Sequence, residues 1–289
     1  MNRLQTVKDT RKIAAETLNT ILQDVIQNQT KISEVQFRDN WLAELRKHKT
    51  IFSDGWYLPP PHGIGVLFGN INSDSRHNYH TLRPKDMWPR DDIFLDLKVG
   101  MAYLFASPVD KKTGIIGDFG LTIYFGKNQE VINHLQTCMK INKQIFDFIK
   151  VGMPFKDVYK YAEKIIIDAG LTNNVGSTTD PTGKDYGHTL PSTDKDWTDK
   201  EVELFKNNST PWNAICELIS KRRIFVNRVE KASYQPDMAT TLEPRLTNSS
   251  NPDIPMASFH TVVTIHEDGS KELLTQFDDI FKTVGMNYM

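Results

Sequence analysis

Acidic residues and histidines are the groups in this sequence whose chemistry and placement point to a site. Asp118, His188, Glu243 and His260 stand in the segments GDFGLTIYFG, GHTLP, MATTLEPRL and ASFHTVVTIH, on predicted strands and in a loop. Carboxylates and imidazoles bind divalent metals, and a sheet can gather such groups from distant segments. The sequence has no G-x-x-x-x-G-K-[ST], H-E-x-x-H, G-x-S-x-G or C-x-x-C motif, so no local motif of these kinds assigns a function to the chain.

The composition is that of an ordinary globular protein. The chain has 289 residues, of which 39% are hydrophobic and 25% charged, with a formal net charge of -1. We therefore expect no nucleic-acid partner and no membrane partner. No apolar run approaches the ~20 residues that cross a bilayer, and the basic amphipathic N-terminus lacks the apolar core of a secretory signal. With two cysteines, both interpreted as buried thiols, the expected compartment is the cytoplasm.

Apolar periodicity predicts the elements that would position these groups. Helices are predicted over residues 5–28, 36–48, 129–150, 155–169 and 211–225. Strands are predicted at GVLFG, MAYLFASPV, GIIGDFGLTIYFG, MATTLE and ASFHTVVTIH, and DKKTG joins the second and third of them as a hairpin. This order predicts an α+β fold in which helix pairs cover one curved antiparallel sheet, as a single domain over residues 1–289.

Four blocks in order resemble the pita-bread family of methionine aminopeptidases, Xaa-Pro aminopeptidases and creatinases. They are GDFGLTIYFG with the helix pair after it, GHTLP, MATTLEPRL and HTVVTIHEDGSKELLT. Residues 101–289 form the family-like core, and residues 1–100 are a more divergent N-terminal half. The resemblance implies a pita-bread fold and a metal site. In the family, two Asp, one His and two Glu bind two divalent metals, which activate a shared water for hydrolysis.

Two of the family's ligand positions differ in this sequence. The first Asp falls on Phe105, or on Ser107 if the hairpin is not lengthened, and neither is a usual metal ligand. His260 takes the place of the final Glu, and the family's E-P-G reads Glu243-Pro244-Arg245. The resemblance therefore implies a remodelled site that holds one divalent ion, Zn, Mn or Fe. Its expected ligands are Asp118, His188, Glu243 and His260.

The resemblance also indicates a substrate-contacting residue and a substrate class. A histidine on the loop before the first ligand strand contacts substrate in the family, and His80 is the candidate here. The expected substrate is a small amide, a peptide or an amino-acid-like molecule, acted on by an aminopeptidase-type hydrolase. Relatives of this architecture are often dimers, so a homodimer is a further expectation.

Two other functions stay open. One is a non-hydrolytic metal enzyme on the same scaffold, since two histidines and one carboxylate permit iron-dependent oxygen chemistry. The other is a metal-free protein that serves as a binding module for peptides or proteins. Trp56, Tyr57 and Trp88 either wall a cleft or pack a loop onto the core, and Lys221-Arg222-Arg223 is interpreted as a solvated face.

Overall fold

A computed structural model describes residues 2–57, 63–70, 75–177 and 179–289 of the chain. Among these residues, two short 3₁₀ helices, Ser75–Asn78 and Lys85–Met87, lie between the first two strands. The helices are α1 (Arg3–Gln27), α2 (Glu34–Arg46), α3 (Gln129–Phe148), α4 (Phe155–Asp168), α5 (Asp199–Lys206), α6 (Trp212–Arg222) and α7 (Asp278–Val284). The strands are β1 (Ile64–Asn70), β2 (Gly100–Ala106), β3 (Phe119–Tyr124), β4 (Leu171–Asn173), β5 (Met238–Leu242), β6 (Arg245–Asn248), β7 (Ala257–Ile265) and β8 (Lys271–Leu274).

The strands of the described residues form one antiparallel sheet centred on β7. Its order is β1-β2-β3-β7-β6-β4, and β5 and β8 also pair with β7. The first half of β7 lies between β3 and β6, with His260 opposite Gly120 and Ser258 opposite Arg245. The second half lies between β5 and β8, with Thr261 opposite Leu242. The partners on both edges of β7 therefore change next to His260.

Local sequence signals explain where the helices begin and end. Ser33 and Gln36 form a reciprocal capping box at the start of α2, which satisfies backbone N–H groups that lack partners in the helix. Asn128 caps α3 by accepting a hydrogen bond from the backbone N–H of Glu130. After α4, Gly170 has a φ of +71°, the left-handed conformation in which glycine ends helices at low cost.

The helices bury their apolar stripes against the sheet and against each other. Trp41 of α2 is fully buried, and its indole N–H donates to the Thr17 hydroxyl of α1 at 3.0 Å. Leu18 and Leu22 of α1 and Phe37 of α2 belong to the same core. Fully burying one such side chain contributes roughly 1.5–3 kcal/mol, so this packing holds α1 firmly on the sheet.

Most of the predicted helices and strands are present, and several elements were not predicted. The short strand β4 and the helix α5 were not predicted. Strand β6 and the terminal helix α7 were also missed. β4 and β6 have three and four residues, too few to show an alternating pattern. Among the described residues, no helix is long and apolar enough to cross a membrane.

Candidate metal centre

The break in the sheet at His260 brings the four predicted ligands together. Asp118 immediately precedes β3 on one edge of β7, and Glu243 immediately follows β5 on the other. His188 lies on the segment after α4, bridged to Phe225. All four side chains are buried, with exposures of 1% for Asp118 and His260, 3% for His188 and 9% for Glu243. Ionisable groups are rarely buried together unless they pair or bind a metal.

Two glycines make the room that this cluster needs. A Cβ on Gly120 would lie 3.1 Å from the ring of His260 and 3.0 Å from the hydroxyl oxygen of Tyr103. Gly187 has a φ of +147°, and a Cβ there would lie 2.0 Å from the carbonyl oxygen of Thr241. The close approach at Gly187 seats His188 against β5, where its backbone N–H donates to the Thr241 hydroxyl at 2.8 Å.

The orientation of His188 leaves one ring nitrogen facing two carboxylates. Its Nδ1 lies 2.9 Å from the carbonyl oxygen of Thr189, which can only accept, so we assign the proton to Nδ1. Nε2 then presents a lone pair 3.4 Å from Oδ2 of Asp118 and 3.3 Å from Oε1 of Glu243. With His188 in this neutral form, three acceptor atoms face one another without a hydrogen between them.

These three acceptors fit a metal ion. One ligand atom from each of Asp118, His188 and Glu243 lies within 4.8 Å of the other two. Nitrogen and oxygen ligands bound at about 2.0–2.1 Å in a tetrahedral arrangement lie about 3.4 Å apart. The measured distances of 3.3 and 3.4 Å match that spacing. The backbone carbonyl that holds Nδ1 is the usual partner of a metal-binding histidine.

His260 joins the cluster through the other carboxylate oxygens. Its Nδ1 lies 2.8 Å from Oδ1 of Asp118 and 3.4 Å from Oε2 of Glu243. Its Nε2 lies 2.8 Å from the Tyr103 hydroxyl. Each carboxylate thus faces His188 with one oxygen and His260 with the other. The structure brings His260 beside the three acceptors as a hydrogen-bond partner of Asp118.

The surroundings of the cluster set its charge. Burial opposes ionisation of Asp118, but the adjacent imidazole rings of His188 and His260 outweigh it and hold the pKa of this carboxyl well below its usual range. Burial, assisted by the charge of Glu243, raises the pKa of Asp185 to about 7. Asp118 is therefore an anion at neutral pH, whereas Asp185 holds only part of a negative charge.

Arg11 ties the N-terminal helix to the backbone of the site. This fully buried side chain donates from Nη1 to the carbonyl of Asp118 and from Nη2 to the carbonyl of His260 at 2.9 Å. It also donates to the carbonyl of Thr275 at 3.0 Å and to Oε1 of Gln276 at 2.9 Å. These contacts join α1, the start of β3 and β7 around the cluster, and sequence reasoning did not find them.

A small cleft of about 50 Å³ opens beside the four residues. Trp56 and Tyr57 line this cleft, in agreement with the interpretation that they form a cleft wall. Trp88 does not line it. Arg223 also lines it, partly buried over the Trp56 ring, so the interpretation of this residue as part of a solvated face was wrong. Arg83, Asp185 and Arg245 complete its charged lining.

The structure distinguishes the two residues that could occupy the family's first Asp position. Phe105 lines the cleft, and its ring centroid lies 5.3 Å from that of His260. Ser107 is fully buried outside the cleft lining, with its hydroxyl 3.4 Å from the backbone nitrogen of Tyr57. Asp110 accepts hydrogen bonds within the hairpin turn. Of the two candidate positions, Phe105 is therefore the one that lines the cleft beside His260.

His80, the predicted substrate-contacting residue, lies outside the cleft lining. Its side chain is exposed, and Nδ1 lies 3.1 Å from the carbonyl oxygen of Asn174. Its own carbonyl oxygen accepts from Arg245 at 3.0 Å. The structure does not bring His80 to the four clustered residues, so its role stays a prediction. Its described contacts support the position of Arg245.

A match to a family model identifies the family of this chain. The model of metallopeptidase family M24 matches residues 5–267, which include all four clustered residues. The chain belongs to metallopeptidase family M24. No curated protein matches its sequence.

Solved structures of M24-type enzymes share the fold at low identity. The X-Pro aminopeptidase from Thermotoga maritima MSB8 is 11% identical with a TM-score of 0.60, over 94% of this chain and 60% of that one. The Xaa-Pro dipeptidase from Bacillus anthracis is 15% identical with a TM-score of 0.57, over 92% and 59%. The methionine aminopeptidase from Rickettsia prowazekii is 14% identical with a TM-score of 0.59, over 94% and 96%. The pita-bread fold and the predicted family are confirmed, and this chain spans about three fifths of the length of the first two enzymes.

Proposed function

We propose that this protein is a metallohydrolase that cleaves a small amide or a peptide, using one divalent ion bound by Asp118, His188 and Glu243, with His260 as the fourth ligand. The observation that carries the proposal is the set of three buried acceptor atoms that face one another at 3.3 and 3.4 Å. Family membership supports a metal at this position, and the donor set suits Zn, Mn or Fe.

Residues of the chain supply the charge around that ion and orient its ligands. A divalent metal held here lowers the pKa of a bound water and polarises a carbonyl group. Asp118 and Glu243 supply negative charge, and the carbonyl of Thr189 keeps Nε2 of His188 directed at both carboxylates. The Thr241 hydroxyl, 3.2 Å from Oε1 of Glu243, orients that carboxylate.

One ion is proposed because the residue at the family's remaining Asp position is apolar. Phe105 fills the space beside His260 with a ring, and a ring supplies no ligand to a second metal. A site with five family ligands becomes a site with two imidazoles and two carboxylates. These four groups are sufficient to bind one ion, and the water or the substrate carbonyl would take a fifth position on it.

Metal content and peptide cleavage test the proposal together. Protein purified without added metal is dialysed against Zn, Mn or Fe(II), and bound metal is measured by atomic emission. We expect one ion per chain, release of an amine from a panel of di- and tripeptides, and loss of both in His188→Ala and Glu243→Ala. His48→Ala, outside the cleft, is the matched control. Unaltered metal content in both site variants would refute the ligand assignment.

A metal-free binding module is the second candidate, and one observation favours it. The four side chains also satisfy one another without metal, because His260 is hydrogen-bonded at both nitrogens. In that case His188 holds the proton that bridges Asp118 and Glu243. No metal uptake at saturating Zn, Mn and Fe, together with retained peptide binding, would establish this function and exclude hydrolysis.

A further inference from the structure

Arg245 is the charged residue of the cleft that departs most from the family pattern. It stands where the resembling motif has glycine, two residues after Glu243, at the start of β6. Its guanidinium lies 5.2 Å from the centroid of the Tyr79 ring, and Nη1 donates to the carbonyl of His80 at 3.0 Å. The side chain is 8% exposed and lines the cleft. Since the family folds with glycine there, the fold itself does not require this guanidinium.

The hydrogen bonds of Arg245 are incomplete. Its Nε is buried and has no hydrogen-bond partner. A buried donor without an acceptor costs roughly 1–3 kcal/mol, so such atoms are few in native proteins and call for an explanation. A ligand oxygen in the cleft would supply the missing acceptor.

A second guanidinium enters the same cleft from a different wall. Arg223 lies 4.2 Å from the centroid of the Trp56 ring and 4.9 Å from that of Phe225, and donates to the Thr179 hydroxyl at 3.0 Å. Its Nε is also buried without a partner. Aromatic rings therefore hold both arginines in place while each keeps a free N–H donor.

The charges around the cleft favour an anion once the metal is bound. Three arginines face three carboxyl groups, and their formal charges cancel. A bound divalent ion adds two positive charges, and Asp185, whose pKa burial raises to about 7, supplies less than a full negative charge. The cleft therefore has a net positive charge when the ion is bound. The three arginines are Arg83, Arg223 and Arg245, and the three carboxyl groups are those of Asp118, Asp185 and Glu243.

We propose that Arg245, together with Arg223, forms a subsite for an oxyanion of the substrate, a carboxylate or a phosphate group, next to the metal ligands. Guanidinium groups bind such oxyanions through paired N–H donors. The inference rests on the proposed function, because it assumes a substrate that enters this cleft. It selects acidic peptides or phosphorylated small molecules over neutral substrates.

Binding of small anions to the full chain tests the subsite without any need for activity. Glutarate, inorganic phosphate and the neutral glutaramide are titrated by calorimetry into Mn-loaded and metal-free protein. We expect glutarate or phosphate to bind the Mn-loaded protein and glutaramide not to bind. The anion that binds more tightly distinguishes a carboxylate from a phosphate site. Arg245→Gln should weaken its affinity at least tenfold, whereas Arg228→Gln, an exposed arginine outside the cleft, should not change it.

The outcomes separate this inference from the proposed function. Normal Mn uptake with equal anion affinity in wild type, Arg245→Gln and Arg223→Gln overturns the subsite and leaves the metal site standing. Anion binding that depends on Arg245 in a protein that takes up no metal supports the subsite and refutes the hydrolase. Arg223→Gln also serves as the second variant if Arg245→Gln does not fold, and a tenfold loss of affinity in it supports the subsite.

Discussion

Nδ1 of His260 lies 2.8 Å from Oδ1 of Asp118, on the side of this carboxylate that does not face His188. The opposite nitrogen of the His260 ring lies 2.8 Å from the Tyr103 hydroxyl. A chain of contacts therefore runs from Tyr103 through His260 to Asp118. This chain of contacts orients Asp118 in the proposed metal site.

Replacing His260 should weaken metal binding more than removing the Tyr103 hydroxyl. His260→Ala deletes both the proposed fourth ligand and the hydrogen bond to Asp118, so we expect the Kd for Zn to rise more than 100-fold. Tyr103→Phe removes only an outer partner, and such changes typically cost 10–100-fold. Competition with a chromophoric chelator measures both constants. Equal affinity in wild type and His260→Ala would exclude any role of this residue in metal binding.

Phe105 gives a direct test of why one ion is expected. Phe105→Asp places a carboxylate beside His260, at one of the two positions that the family's first Asp could occupy, so we expect the metal content to rise from one ion per chain towards two. Loss of the packed ring should lower the free energy of unfolding by about 3–5 kcal/mol. Phe105→Asn is the matched control, since it loses the ring but adds no charge. A second ion in Phe105→Asn, or none in Phe105→Asp, would contradict this explanation.

The parts of the site that sequence could predict are those that belong to continuous patterns. The helical stripe of α1 and the hairpin around Asp118 depend on neighbours in the chain, so periodicity and turn composition indicate them. The strand that contains His260 could also be predicted, because its apolar pattern is that of a strand although the family has glutamate at this position. Strand β6 has four residues and depends on its pairing with β4 and β7, so the local sequence does not indicate it.

Arg11 and Arg223 show what sequence could not predict. The acceptors of Arg11 are backbone carbonyls of Asp118 and His260, 107 and 249 residues away in the chain, and a carbonyl leaves no mark on residue type. Arg223 stands in a basic run typical of an exposed helix end, and only the placement of Trp56 beside it defines a cleft. Arg245 was visible as a departure from the family motif, but its burial against Tyr79 was not.

Removing Arg11 should destabilise the fold around the metal centre. Arg11→Met leaves the buried carbonyls of Asp118, His260 and Thr275 without this donor, and we expect the free energy of unfolding to fall by at least about 3 kcal/mol. Urea unfolding followed by tryptophan fluorescence measures the loss. Arg228→Met, at an exposed position, is the control. A change within about 0.5 kcal/mol, as for a surface substitution, would show that Arg11 does not hold the site together.

His134 gives the fold a dependence on pH that is independent of the cleft. This residue of α3 is 4% exposed, and its Nε2 lies 3.2 Å from the carbonyl oxygen of Leu246. Burial lowers the pKa of His134 to about 4, and the hydrogen bond to Leu246 opposes this only in part. In the unfolded chain the pKa of histidine is about 6.5, so between these two values the unfolded chain binds more protons.

Stability should therefore fall as the pH drops through the window from about 6.5 to 4. For His134 alone, the loss between pH 7 and pH 5 should be about 2 kcal/mol of unfolding free energy. His134→Gln keeps a donor for the Leu246 carbonyl but does not titrate, so its stability should fall by about 2 kcal/mol less than that of the wild type over this range. Urea unfolding at the two pH values measures the difference. His48→Gln, at a half-buried position near the end of α2, should keep the wild-type slope. If the unfolding free energy of His134→Gln depends on pH as steeply as that of the wild type, then burial of His134 does not cause the acid sensitivity.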